Sequence, residues 1–410
     1  MKRLAGVGVV LVVVALGQIS MAAQPIDEAV RAVAQRLVTE QMVEGVGSGS
    51  WPDEATLTGS IIAGMVGAYE LTCEETFRSS AELGGDYILS IAQGNFFGDE
   101  ALALTRLSQI APDPGSNRWR TAVADFHRTV RNSGGGTSGY VSAFGSFERS
   151  AAVFYLAHHA VAAYYVEAED RHIWRQGLID SLSHIDDSCD FPVTALGAAT
   201  WALAQTGVLD ETPIAASGQG VAYWKAKALS DLPGLLRGHQ VPDGQTGAGS
   251  FYWQFGHADD QHGYTEGTIF ATRGLLASSR ISINLDPGLE SAIAAARAAL
   301  LDGIGADGKI SEQLWQEGSS YYAYGGEMLD VLSEMVVPGD LDLDGDVDSD
   351  DLTPLVALLI DNWPASDCSQ SCWCNGADLD RNGQVDDEDF LIVEDMWLED
   401  AGREVLGSGD

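Results

Sequence analysis

Positive charge is scarce in this chain. Only 22 Lys and Arg stand against 60 Asp and Glu in 410 residues, for a net charge of −38. That balance excludes the basic footprint a nucleic-acid partner needs and works against a polyanionic ligand. Long apolar runs are also missing beyond the start. Leu4 to Leu16 is too short to span a bilayer. With Lys2 and Arg3 before it and Ser20-Met21-Ala22-Ala23 after it, the run reads as a secretory signal over residues 1–23. The expectation is an exported, extracellular or surface-associated protein without a membrane span. A phosphate-binding loop is lacking, because the glycine-rich stretch Gly45–Gly49 has neither the G-x-G-x-x-G spacing nor a following Lys. Cysteine is sparse: Cys73, Cys189, Cys368, Cys372 and Cys374. A disulfide of Cys368 with Cys372 or Cys374 would staple the segment around them, and the odd number leaves one thiol free or paired elsewhere.

What the chain does have is acid, concentrated near its C-terminus. Residues 340–410 hold half of the net charge in about a sixth of the length. Within them Asp340–Asp351 reads D-L-D-L-D-G-D-V-D-S-D-D, and Asp378–Asp389 reads D-L-D-R-N-G-Q-V-D-D-E-D. Each is a twelve-residue calcium loop. Oxygen ligands fall at positions 1, 3 and 5, a glycine turns the chain at 6, position 7 offers its carbonyl, and a carboxylate closes the site at 12. The ligand sets are Asp340, Asp342, Asp344, Asp346 and Asp351, then Asp378, Asp380, Asn382, Gln384 and Asp389. Two Ca2+ ions are expected.

The larger region, 25–337, is rich in Ala, Leu and Gly and poor in strand-like alternation. A loose repeat runs through it. Six times an amphipathic helix leads into a loop of glycines and aromatics, then into a more apolar helix. In His172–Ile185, Ile173, Trp174, Leu178, Ile179, Leu182 and Ile185 share one face. Ala151–Val166 is apolar nearly all round and reads as buried. Six outer and six inner helices of this kind close into an all-α (α/α)6 toroid, with the loops before the inner helices gathered at one end.

Two loops carry a resemblance. Gln41 with Gly49-Ser50-Trp51, and His239-Gln240 with Gly249-Ser250-Phe251, followed by Thr268 and Ala271, are similar to the repeats of the prenyltransferase and squalene-cyclase α/α-toroid superfamily. The architecture is shared with polysaccharide lyases and glycoside hydrolases. The paired calcium loops resemble a type I dockerin over 340–400, ahead of a tail at 401–410. The resemblance implies an EF-hand-like domain that binds Ca2+ and a cohesin-like partner. Ser349 and Asp350, then Asp387 and Glu388, match the recognition positions; Val356 and Ala357 stand where many members carry basic residues. Dockerins commonly accompany polysaccharide-degrading domains.

The richest loop, Phe251–Glu266, packs aromatics, imidazoles and carboxylates into one turn. Sugar rings stack on aromatic faces, and a hydrolase needs two carboxyl groups across the scissile bond. Asp260, Glu266, His262 and Tyr264 are the candidate catalytic residues for acid–base chemistry. Trp51, Phe97, Tyr140, Tyr252, Trp253, Trp315 and Tyr322 are the candidate stacking residues. Asp99 and Glu100 stand where they are either rim acids or first-turn acids of a helix. His158 and His159 read as core histidines satisfied by carbonyls; the alternative is that one of them points into the barrel lumen. The expectation is polysaccharide processing by hydrolysis or β-elimination; the alternative is a non-catalytic glycan-binding or scaffold protein.

Overall fold

The computed structural model describes residues 25–53, 57–110, 118–132, 149–215, 220–256, 263–281, 287–315 and 320–336, with a few residues between 356 and 392. The order of elements is α1 Pro25–Glu40, α2 Thr58–Thr72, α3 Glu75–Ala92, α4 Gly98–Gln109, α5 Arg118–Asn132, α6 Arg149–Tyr165, α7 Arg171–Leu182, α8 Pro192–Gln205, α9 Val221–Trp224, α10 Leu232–Arg237, α11 Thr265–Ile281, α12 Pro287–Asp302 and α13 Tyr322–Met335. Among the described residues extended pairing is limited to isolated bridges. No helix among them is long and apolar enough to cross a membrane.

Helices α2, α4, α6, α8, α11 and α13 form a closed inner ring, each packed on the next and α13 returning to α2. The others lie outside. The chain is an (α/α)6 toroid. Composition explains the two layers. Inner helix α8, P-V-T-A-L-G-A-A-T-W-A-L-A-Q, is buried from Pro192 to Ala204, as a helix surrounded by others must be. In outer α7 only Trp174, Leu178, Ser181 and Leu182 are buried. Ile173, placed by periodicity on that face, is 41% exposed at its edge.

Small residues let the inner helices approach closely. A Cβ at Gly64 would overlap the Gly326 backbone where α2 meets α13. The fifth outer position departs from the expected continuous helix. It holds the short pieces α9 and α10, interrupted by a 3₁₀ turn at Leu229–Asp231. Pro213 and Pro233 lie in this stretch and oppose a continuous helix. Trp224 anchors the pieces, fully buried with its indole N–H donated to the Ile185 carbonyl at 2.8 Å.

Candidate functional site

Because each outer helix is followed by an inner one, all six inner helices run the same way and their N-termini meet at one end of the lumen. That end is acidic. Asp99 and Glu100 lie in the first turn of α4, Glu266 in the first turn of α11, and Glu327 in the second turn of α13. The macrodipoles favour carboxylates there by about 1 kcal/mol each. Burial acts more strongly. Asp99 is 5% exposed, and its carboxyl is raised from 3.8 to about 6 by burial, against the lowering effect of hydrogen bonds from its own and the Glu100 backbone and from Ser60. That rise corresponds to about 3 kcal/mol of disfavoured charge, so desolvation outweighs the dipole. Glu100 accepts the Phe97 N–H at 2.9 Å. It rises from 4.5 to about 8, first through burial and then through the charge of Asp99. Burial raises Glu266 from 4.5 to about 7.

Tyr155 on α6 stands among these acids. Its phenol is pushed up by burial and then by Asp99, Glu266, Glu100 and Glu327, in that order. Tyr324 on α13 is pushed up the same way, by burial and then by Glu266, Glu327 and Glu312. Both are therefore held as neutral phenols. In the six-membered ring α4 and α11 lie three places apart, so Asp99 and Glu266 reach the lumen from opposite walls. One oxygen of Asp99, Oδ1, has no hydrogen-bond partner among the described residues.

Below the acids is a cavity of about 10 Å³, lined by Ser60, Asp99, His158, Arg273, Glu327 and Asp330 among others. That is room for roughly one water. Its floor is an ion-pair network. Arg273, 3% exposed, holds Asp330 at 2.8 Å and Glu334 at 2.6 Å, and stacks over Trp201 at 3.8 Å. Arg106 pairs with Asp330 and, at 3.0 Å, with Glu70.

The expected site residues distribute unevenly over this geometry. Glu266 lies at the acidic end. Tyr264 is half-buried two residues before it, with its ring 5.3 Å from Trp253. Phe97 is 40% exposed and tilts on Tyr155 at 5.3 Å, so it borders the acids directly. Trp253 also meets Phe191 at 5.9 Å. Trp315 is half-buried and donates its indole N–H to the Gly263 carbonyl at 3.1 Å. Tyr252 is 9% exposed, with its hydroxyl on Gln245 at 3.2 Å. Tyr322 stacks under Arg36 at 5.0 Å. Trp51 corrects an expectation: it is fully buried, its indole N–H on the Leu37 carbonyl at 2.8 Å, and it offers no open face for stacking. Asp260, His262 and Tyr140 lie outside the described residues.

His158 and His159 meet carbonyls as expected, Phe154 at 2.8 Å and Phe96 at 3.2 Å. His158 also lines the cavity. The sequence reading missed Tyr155, Glu327, Asp330 and Arg273 as lumen residues. Their signal is charge and hydroxyl groups inside helices that are otherwise apolar.

Among the described residues no three His, Cys, Asp or Glu side chains group as a metal ion requires. Of the calcium-loop ligands only Gln384 and Asp389 are described. Asp389 is fully buried and accepts the backbone N–H groups of Leu379 at 2.6 Å and Asp386 at 2.8 Å. Asp389 is thereby tied to the backbone of its own segment, and the other expected ligands lie outside the described residues. Cys189 is a buried free thiol, and Cys73 is disulfide-bonded. The pairing expected within 368–374 lies outside the described residues.

No protein-family model matches the sequence, and no curated protein matches it. Solved structures of similar fold exist. The alpha-1,6-mannanase GH76A from Salegentibacter sp. HEL1_6 aligns at 10% identity over 75% of this chain and 98% of its own, with a TM-score of 0.48. A glycosyl hydrolase family 88 protein from Bacteroides vulgatus aligns at 14% identity over 75% and 97%, TM-score 0.48. A polysaccharide lyase aligns at 12% identity over 75% and 96%, TM-score 0.47. The likeness is one of fold.

Proposed function

We propose that the toroid cleaves glycosidic linkages at its acidic end, and that the C-terminal segment is a dockerin-like module which binds two calcium ions and docks a cohesin-like partner. The observation that carries the first part is Tyr155, whose phenol feels both Asp99 and Glu266, acids borne by opposite inner helices, with Phe97 packed on its ring. Glycoside cleavage needs one protonated and one ionised carboxyl flanking the same bond. Near neutral pH Asp99 is the more ionised and Glu266 the more protonated of this pair. Glu266 is the acid that protonates the leaving oxygen, and Asp99 is the base. Phe97, half exposed at the edge, offers a face for a sugar ring.

The test is release of reducing ends from a polysaccharide panel. Activity should follow a bell in pH, with limbs set by the two carboxyls near 6 and near 7. Asp99→Asn and Glu266→Gln should each lower kcat by at least ~100-fold with unchanged thermal unfolding. Wild-type-like rates in both folded variants would refute the assignment.

The second part rests on the duplicated loops and on Asp389. Asp340, Asp342, Asp344 and Asp351, with the Asp346 carbonyl, would hold one Ca2+. Asp378, Asp380, Asn382 and Asp389, with the Gln384 carbonyl, would hold the other. The ions would neutralise the mutual repulsion of a segment this acidic. The apolar stretch at Leu4–Leu16 supports export.

A further inference from the structure

Among the described residues the acids at the lumen end face no uncommitted cation: Arg273 lines the cavity with Asp99 but is held by Asp330 and Glu334. The causes that perturb Asp99, Glu100 and Glu266 are burial, hydrogen bonds and one another, with no Lys or Arg among them. The cations that come nearest along the chain are committed elsewhere. Arg149, at the start of inner helix α6, is bidentate to Asp186 at 3.1 Å and bonds Ser188 at 2.5 Å. Arg36 lies over Tyr322 and pairs with Glu40 at 3.3 Å. Lys309 pairs with Asp307 at 2.5 Å. Arg106 and Arg273 form the floor, held by Asp330, Glu334 and Glu70. Sequence closes the remaining routes: segments 54–56, 133–148, 257–262 and 316–319, which precede inner helices, contain no Lys or Arg.

Asp99 gives this acidity a direction. It is 5% exposed, it lines the cavity, and its Oδ1 has no partner among the described residues. An acceptor left open in so buried a place asks for a donor from a ligand. A sugar hydroxyl or an attacking water supplies one. A carboxylate or sulfate supplies only further negative charge, in surroundings of low dielectric where repulsion is strong.

We infer that the site takes an uncharged glycan and cleaves it by hydrolysis, not by β-elimination. This rests on the reading of the acidic end as a glycosidic site. In the hydrolytic step the Glu266 proton moves to the glycosidic oxygen and the C1–O bond breaks. The oxygen of a water bonds C1, and that water's proton goes to Asp99, leaving two new hydroxyl ends. β-Elimination would remove the proton beside a uronate carboxylate, which requires a cation to neutralise that carboxylate and an ionisable base. Among the described residues the one cation beside Asp99, Arg273, is already held by Asp330 and Glu334, and Tyr155 is kept as a neutral phenol by burial and the four acids around it.

The experiment uses the full-length protein with calcium and matched polymers: alginate, polygalacturonate and glucuronan, each beside its carboxyl-reduced neutral form. Binding is followed by affinity electrophoresis and cleavage by reducing ends and by absorbance of unsaturated products. At least one neutral form should be cleaved at least ~10-fold faster than its uronate parent, with no unsaturated product. A uronate parent cleaved as fast as its neutral form, or any unsaturated product, overturns the inference and leaves carbohydrate cleavage standing. Absence of both binding and cleavage for all six polymers overturns the inference together with the reading beneath it.

Discussion

Gln41 and Gln240 are structural equivalents. Each side-chain amide donates twice: to a glycine carbonyl in its own loop, Gly49 at 3.0 Å and Gly249 at 2.9 Å, and to a carbonyl of the next outer helix, Ser80 at 3.0 Å and Ala292 at 2.8 Å. The glycines match as well. Gly49 and Gly249 have φ of +102° and +84°, and a Cβ on either would overlap a carbonyl of that same outer helix, Leu83 or Ala295. Each motif therefore ties one outer helix to the next beneath an inner-helix start. Gln41→Ala and Gln240→Ala should each cost about 2 kcal/mol, since two carbonyls lose a donor. The double variant should cost the sum, because the sites share no partner. Urea unfolding of the four proteins measures it, and a cost below about 0.5 kcal/mol for either single change would deny the tie.

Glu100 should set a trade between stability and charge. It ionises near 4.5 in the unfolded chain and near 8 in the folded one. The folded state binds the extra proton between those values, so stability is full below 4.5 and falls as pH rises through 8. Glu100→Gln removes that loss and keeps an acceptor for the Phe97 N–H. It should match wild type at pH 4 and exceed it by about 1–2 kcal/mol at pH 9. Thermal unfolding at both pH values decides, and equal Tm at pH 9 contradicts the assignment.

Histidine works in the opposite direction. Burial lowers His127 and His158 from 6.5 to about 3. The unfolded chain takes up these protons first, so stability is whole above 6.5 and lost as pH falls toward 3. His127 sits against Phe126, His159 and Trp174, and neither ring nitrogen has a partner among the described residues. His127→Phe should keep the ring packing and flatten the loss of Tm between pH 7 and pH 4. An unchanged acid limb would exclude His127 as a contributor.

Arg273 should be the most costly single residue of the floor. Its removal strands Glu334 and leaves Asp330 to Arg106 alone, which costs about 3–5 kcal/mol. Arg273→Lys should recover little, because a lysine cannot hold both carboxylates and lie flat on Trp201. Chemical denaturation of wild type, Arg273→Ala and Arg273→Lys tests both statements.

The paired acidic loops predict a metal response. Asp342→Ala with Asp380→Ala should abolish tight calcium binding and the calcium-induced gain in Tm of the full-length protein. Calorimetry with CaCl₂ showing unchanged stoichiometry and affinity would reject the two loops as the ion sites.

The two-layer helical ring was legible because its signal is spread over many residues: α6 reads apolar all round, whereas α7 has one apolar face. The motif glutamines were legible as a repeat. The site was legible only in part. Glu266 stood out because it ends an aromatic, acidic loop. Asp99 and Glu100 looked equally like helix-start acids, and they are that as well as lumen residues. Tyr155 and Glu327 each sit singly among apolar neighbours, and only the closing of the ring brings them together. Trp51 shows the converse: an aromatic beside glycines suggested a stacking face, yet it fills space under its own loop. Periodicity fixes which face of a helix is buried, while the place of that helix around the ring comes from long-range packing.

The seam of the ring lies where Gly64 of α2 faces Gly326 of α13. These helices are among the first and the last of the toroid to be synthesised. Until residue 335 has left the ribosome, the lumen has an open side and the apolar wall of α2 lacks its cover. Closure of the ring must therefore wait until α13 has emerged, and the slowest event in building the toroid should be the docking of α13 onto the early helices α1 and α2.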